Sequence, residues 1–128
     1  MLAVLPEDHR LAKDRIVRLK DLKEDNIILE RGDFHEPTIA LADLGIFSDT
    51  PIDIENDDHA IMAMVEQGLA VSILYELMLE RNSFHIVCLP TEPPVIRKLG
   101  AVSRDFTAMP VAAKRFLEEL QAHTDELK

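Results

Sequence analysis

The sequence predicts an α/β domain with a mainly parallel sheet in a three-layer α/β/α arrangement, and two observations carry that prediction. The first is the stretch 57–76, DDHAIMAMVEQGLAVSILYE, where an amphipathic helix meets a glycine stop and then a buried strand. Ile61, Met64, Val65 and Gly68 fall at i, i+3, i+4 and i+7 and so share one helical face. Gly68 accepts the left-handed conformation that closes a helix, and residues 69–74 form a mostly apolar run suited to a strand covered on both faces. The second observation is the alternation of short apolar runs with helical segments along the whole chain, the pattern of parallel βαβ units.

In chain order, residues 1–5 open as a strand and Pro6 begins a polar loop to Asp14. Ile16 and Val17 end a strand, and a short helix follows near Leu19. Ile27, Ile28 and Leu29 make a second apolar strand, with the turn 30–33 after it. Pro37 suits the first turn of a helix, where its missing N–H costs nothing, and that helix runs to Leu44 with Gly45 as its stop. Ile52-Asp53-Ile54-Glu55 alternates with the period of a strand. A helical turn covers 76–81, and residues 86–89 form a strand that Pro90, Pro93 and Pro94 separate from any helix. Residues 99–102 read as another strand. Pro110 opens a last helix whose Ala113, Phe116, Leu117 and Leu120 make an apolar stripe.

Composition narrows the functional classes. The 128 residues suit one core, and the 47% hydrophobic content is ordinary for a globular protein. With 24 acidic against 14 basic residues the net charge is −10, which disfavours direct contact with nucleic acid or an anionic membrane. No apolar run approaches the ~20 residues of a spanning helix. One cysteine, Cys88, forms no intrachain disulfide, which fits a cytoplasmic location.

In open α/β sheets ligands gather beyond the carboxyl ends of strands, beside helix N-termini. Two loops answer that description. One is the turn with Arg31, Gly32, Asp33, Phe34 and His35; the other is Asn56, Asp57, Asp58 and His59 at the mouth of the helix described first. The plain alternative is that Gly32 is a turn residue and the acids are helix caps. Glu30, Asp33, Glu36, Asp57 and Asp58 crowd carboxylates there. Repulsion of ~1 kcal/mol per pair at 4 Å in water, and more away from solvent, favours a neutral or cationic ligand. His9, His35, His59, His85 and His123 show no metal-ligand spacing and Cys88 has no CxxC partner, so neither metal nor cofactor is expected. No nucleophile motif occurs; an enzyme would need an acid–base pair such as Asp33 with His35.

Several stretches resemble one family. AVLPEDHRLAK at 3–13, LKDL at 19–22, AIMAMVEQGLAVSILYELML at 60–79, LPTEPPVIRKLG at 89–100 and RDFTAMPVAAKRFLEEL at 104–120 look like the effector-binding domain of LysR-type transcriptional regulators. The resemblance covers nearly the whole chain. It implies a fold like type 2 periplasmic binding proteins, with two lobes, two hinge strands and an effector cleft, and a separate helix-turn-helix domain for DNA. By this likeness residues 6–98 are the second lobe, 1–5 and 99–103 the hinge strands, and 104–128 the returning helix of an incomplete first lobe. The chain would then be a fragment without its DNA-binding domain and would pair as a homodimer.

The resemblance makes Gly32 to His35 and Asn56 to His59 effector-contacting turns. Tyr75 stands where the family commonly has proline, at a strand end near the cleft. Ala70 replaces a usual glycine, and Met109 a usual serine cap. The expected role is small-molecule sensing without catalysis; the rivals are an oligomerisation module that binds no metabolite and a small-molecule enzyme.

Overall fold

The computed structural model describes residues 1–31, 36–46, 52–55, 57–98 and 100–123, with the backbone alone at 30–31 and 52–55. The strands are β1 (Leu2–Pro6), β2 (Val17–Arg18), β3 (Ile27–Arg31), β4 (Ile52–Glu55), β5 (Val71–Leu74) and β6 (Ile86–Glu92). The helices are α1 (Glu36–Asp43), α2 (Asp58–Glu66), α3 (Glu76–Leu79) and α4 (Val111–Ala122), and a 3-10 turn occupies Leu19–Leu22. Two compact units divide the chain, Met1–Arg97 and Lys98–Lys128.

In the first unit the strands form one sheet in the order β2-β6-β1-β5-β3-β4. β3 runs parallel to β4 and β5, and β2 parallel to β6, whereas β1 is antiparallel to both its neighbours, β5 and β6. Three of the five pairings are parallel, as expected of a mainly parallel sheet, and the two antiparallel ones both involve β1. The reason is that β6 returns beside β1 in the direction of β5, which leaves β1 as the one reversed strand.

Alternation along the strands sorts the core onto two faces. Ala3, Leu5, Ile27, Val71 and Ile73 join Leu19, Leu22 and Leu41 in one cluster. Val4, Ile28 and Leu74 join Ile61, Met62 and Val65 of α2 and Leu79 of α3 in the other. Helical elements thus cover both faces, which is the three-layer arrangement. All four residues of β5 are buried. At α2 the buried face is Ile61, Met62 and Val65 rather than the expected set with Met64, which is half-buried. Gly45 and Gly68 end their helices at φ +67 and +70, the left-handed region that glycine adopts without strain.

Strand β6 runs beyond the expected stop at Leu89. Its ladder to β1 ends at Pro90 and its ladder to β2 begins at Thr91, so the N–H that Pro90 lacks falls where one set of pairings hands over to the next. The strand expected at 99–103 is not formed: residues 100–103 carry no strand, and residue 99 lies outside the described residues. Among the described residues nothing offers that segment a ladder, and apolar side chains alone do not hold an extended backbone whose polar groups lack partners.

In the second unit α4 begins after Pro110, which supplies no side-chain cap. The position lies one residue past Met109, so the expected loss of a serine cap takes the form of an uncapped proline. The Lys114 ammonium instead donates to the Thr107 carbonyl at 2.8 Å, and the Asp105 carboxylate accepts from the Thr107 amide (2.8 Å) and hydroxyl (2.7 Å). Hydrogen bonds from Thr107 and Ala108 hold the Asp105 carboxyl below its ordinary range. No residue of α4 is buried.

The loop after β1 is fastened by Asp25. Its carboxylate accepts from the Arg10 guanidinium at 2.6 Å and meets His9 Nε2 at 3.2 Å. His9 Nδ1 accepts from the Leu11 amide at 3.3 Å, so the ring proton sits on Nε2 and is donated to Asp25. Asp25→Ala, which leaves donors unpaired around a largely covered carboxylate, is expected to cost about 1–3 kcal/mol in urea unfolding. Glu92→Ala, which removes only the exposed partner of Arg18, is expected to change stability by no more than about 0.5 kcal/mol in the same assay.

Candidate functional site

Because β3, β4 and β5 are parallel neighbours, their carboxyl ends lie on one edge of the sheet. Arg31 ends β3 in register with Glu55 at the end of β4, and Tyr75 follows β5 directly. Leu2 pairs with Leu74 and with Pro90, so the start of β1 and the carboxyl end of β6 reach the same edge. Near the end of β6, the buried Thr91 hydroxyl oxygen accepts from the Val95 amide at 3.1 Å and fixes the turn that leads to Arg97.

An open hollow of about 300 Å³, solvent included, lies at this edge. Leu29, Pro37, Ile73 and Leu74 make its apolar wall with Met1, and Thr38 and Tyr75 bring hydroxyl groups to it. The Arg97 guanidinium stacks on the Tyr75 ring, 4.6 Å from its centroid, a favourable cation–π geometry. Arg97 Nε stands 4.0 Å from Glu36 Oε1 at the start of α1. Arg97 and Glu36 side chains are 18% and 30% exposed, so this long pair is only partly screened by water. The second oxygen, Glu36 Oε2, is buried with no hydrogen-bond partner among the described residues.

At the mouth of α2 the plain reading of Asp57 holds. Its Oδ1 accepts from the Ala60 amide at 2.9 Å, an N-cap. Burial pushes the Asp58 carboxyl above its ordinary range, His59 opposes that and the Asp57 charge adds to it; Asp58 Oδ1 is buried and unpaired among the described residues. The exposed His59 ring meets Phe84 edge-on, with centroids 6.0 Å apart. Gly32, Asp33, Phe34, His35 and Asn56 lie outside the described residues, as does the Arg31 side chain. The structure therefore brings Tyr75 to the hollow and leaves His59 packed against Phe84.

Sequence reasoning missed Arg97 and Thr38. The signal for Arg97 was present: extending β6 through Pro90 would have carried the following VIRK segment to the same edge as Tyr75. Arg97 also changes the charge reading, because Glu36 has a cation beside it. Cys88 is half-buried and burial raises its thiol, which keeps it a poor nucleophile. Among the described residues no three His, Cys, Asp or Glu side chains cluster as metal ligands, and no helix is long and apolar enough to cross a membrane.

A family model described as the LysR substrate binding domain matches residues 1–125. The uncharacterized HTH-type transcriptional regulator YvbU of Bacillus subtilis (strain 168) is 28% identical over 121 residues, which are 92% of this chain and 41% of that protein. HinK, a LysR family transcriptional regulator from Pseudomonas aeruginosa, superposes with a TM-score of 0.78 at 21% identity over 99% of this chain and 45% of its own. The regulatory domain of Synechocystis PCC6803 CcmR in complex with 2-PG gives a TM-score of 0.73 at 16% identity, over 94% of this chain and 61% of its own. The chain thus spans less than two thirds of each of these proteins, and the two structures share its fold.

The raised Asp58 carboxyl makes a pH test. A folded-state value above the unfolded one favours folding while the group is protonated, and that contribution is lost as pH rises through the folded value. Asp58→Asn is therefore expected to be more stable than the parent at pH 7, by less than about 1 kcal/mol after solvent screening and the opposing helix dipole. Melting curves should converge as the pH falls below the ordinary value of 3.8.

Proposed function

Because the chain belongs to the LysR substrate-binding-domain family, a family of regulator domains rather than enzymes, we propose that it is the small-molecule effector-sensing portion of a LysR-type transcription regulator. The observation that carries this reading is the hollow where the carboxyl ends of parallel strands meet the N-terminus of α1, the ordinary place for a ligand in such sheets. The CcmR regulatory domain holding 2-PG supports it by fold. Effector contacts are assigned to Arg31, Gly32, Asp33, Phe34, His35, Asn56, Asp57, His59 and Tyr75.

A ligand regulates only through its differential affinity for two arrangements. Here it would bias how the lobes of the complete protein and its subunits are arranged, and so reach a DNA-binding domain outside this chain. The net charge of −10 leaves nucleic-acid contact to that domain. A cytoplasmic homodimer completes the proposal. Exposed Val111 and Phe116 on α4 support association, since apolar surface of this kind is usually covered. A module that only oligomerises is the remaining rival.

Two measurements test this reading. Thermal unfolding across a metabolite panel should yield a ligand that stabilises by ~2.7 kcal/mol at 100 times its dissociation constant; a panel with no stabilising ligand would favour the rival. Sedimentation equilibrium should show a dimer at micromolar concentration, and a monomer throughout the range would remove the dimer.

A further inference from the structure

We infer that α4 is the dimer surface of this chain, and that it packs antiparallel against α4 of a second copy along the stripe Ala113, Phe116, Leu117 and Leu120. The inference rests on the homodimer proposed above, and it adds the surface that carries the dimer and the orientation of the two helices. Four observations support it: a helix with no buried residue, charges set against its dipole, a stripe complementary to its own inverted copy, and a balanced local charge in an acidic chain.

Helix α4 is 12 residues long and none of them is buried. Phe116 is 66% exposed and Leu120 40%, whereas Ala113 and Leu117 are half-buried. A helix of this length is marginal in water unless an apolar face is packed on something. Its charges add to the difficulty. The first turn holds no acid and the last turn no base. Lys114 and Arg115 lie toward the N-terminus and Glu118 and Glu119 toward the C-terminus, the reverse of what the macrodipole favours. The plain alternative is that these charges pair within the helix at i, i+4, but the order with the base first is the weaker one. Neither pair closes among the described residues: Lys114 donates to the Thr107 carbonyl, and Glu119 stands 3.9 Å from His123.

At about 100° per residue, Lys114 and Glu118 lie to one side of the stripe, and Arg115 and Glu119 to the other. Two helices packed antiparallel along their stripes bring each side against its own inverted copy. A two-fold axis between Phe116 and Leu117 then sets Ala113 opposite the partner's Leu120, small against large. It also sets Phe116 opposite the partner's Leu117. The same axis brings Lys114 toward the partner's Glu118 and Arg115 toward the partner's Glu119, and it places both bases beside the negative end of the partner's dipole. A parallel pair would align base with base and acid with acid, which is repulsive.

Net charge favours this surface over the rest of the molecule. The chain carries −10, so two copies repel as they approach. Residues 111–122 contain two bases and two acids and bring no net charge to the contact.

The experiment is sedimentation equilibrium on the 128-residue chain, with circular dichroism to confirm that each variant folds. One variant carries Lys114→Glu and Arg115→Glu, the other Glu118→Lys and Glu119→Lys. Each alone sets like charges along both sides of the contact and should weaken the dimer about tenfold or more. Mixed in equal amounts, the two should form a heterodimer at least as tight as the parent homodimer, a rescue that a role within one chain would not produce. Phe116→Ala removes an exposed ring at the axis and should weaken association by a similar factor. Orientation is read in a Cys88→Ala chain: Ala113→Cys mixed with Leu120→Cys should cross-link with a short bismaleimide faster than either variant alone.

A parent dimer indifferent to both charge variants and to Phe116→Ala overturns the inference alone. So does failure of mixing to restore association, or Ala113→Cys cross-linking faster with itself than with Leu120→Cys. A parent that stays monomeric overturns the homodimer proposal with it and leaves the stripe to a different partner.

Discussion

Ser72 sits in the middle of the sheet, opposite Val4 of β1 on one side and Ile28 of β3 on the other. It has no exposed surface, and its hydroxyl donates to the Ile28 carbonyl at 2.7 Å. Both faces of this sheet are covered by apolar side chains, so alternation alone leaves a slipped register with its residues still buried. The hydroxyl removes that freedom. A slip would leave it unpaired among apolar neighbours at a cost of about 1–3 kcal/mol. One polar contact inside an apolar layer thereby helps to decide which residues of β3 and β5 stand level at the carboxyl edge.

The functional edge inherits its composition from that register. Leu29, Ile73 and Leu74 reach it as hydrocarbon, while β3 and β4 end on the charged Arg31 and Glu55 and Tyr75 follows β5. The reversal of β1 matters as much. β6 runs antiparallel to β1 and so in the direction of β5, and the segment after β6 carries Arg97 to the Tyr75 ring.

Much of this was legible in the residues. The helix–glycine–strand unit at 57–76 appears with its glycine in the left-handed region, and Pro37 and Gly45 bracket α1 as their chemistry demands. What was not legible has physical causes. The antiparallel pairing of β1 depends on which strand becomes its neighbour, a long-range choice that a period-two pattern does not encode. Pro90 reads locally as a stop, yet it lies where its missing donor is not required. Residues 99–102 read as a strand from Leu99 and Val102, but a strand also needs a partner for its backbone. At the site Tyr75 was readable as a strand-end residue, whereas Arg97 entered only once the direction of β6 was known.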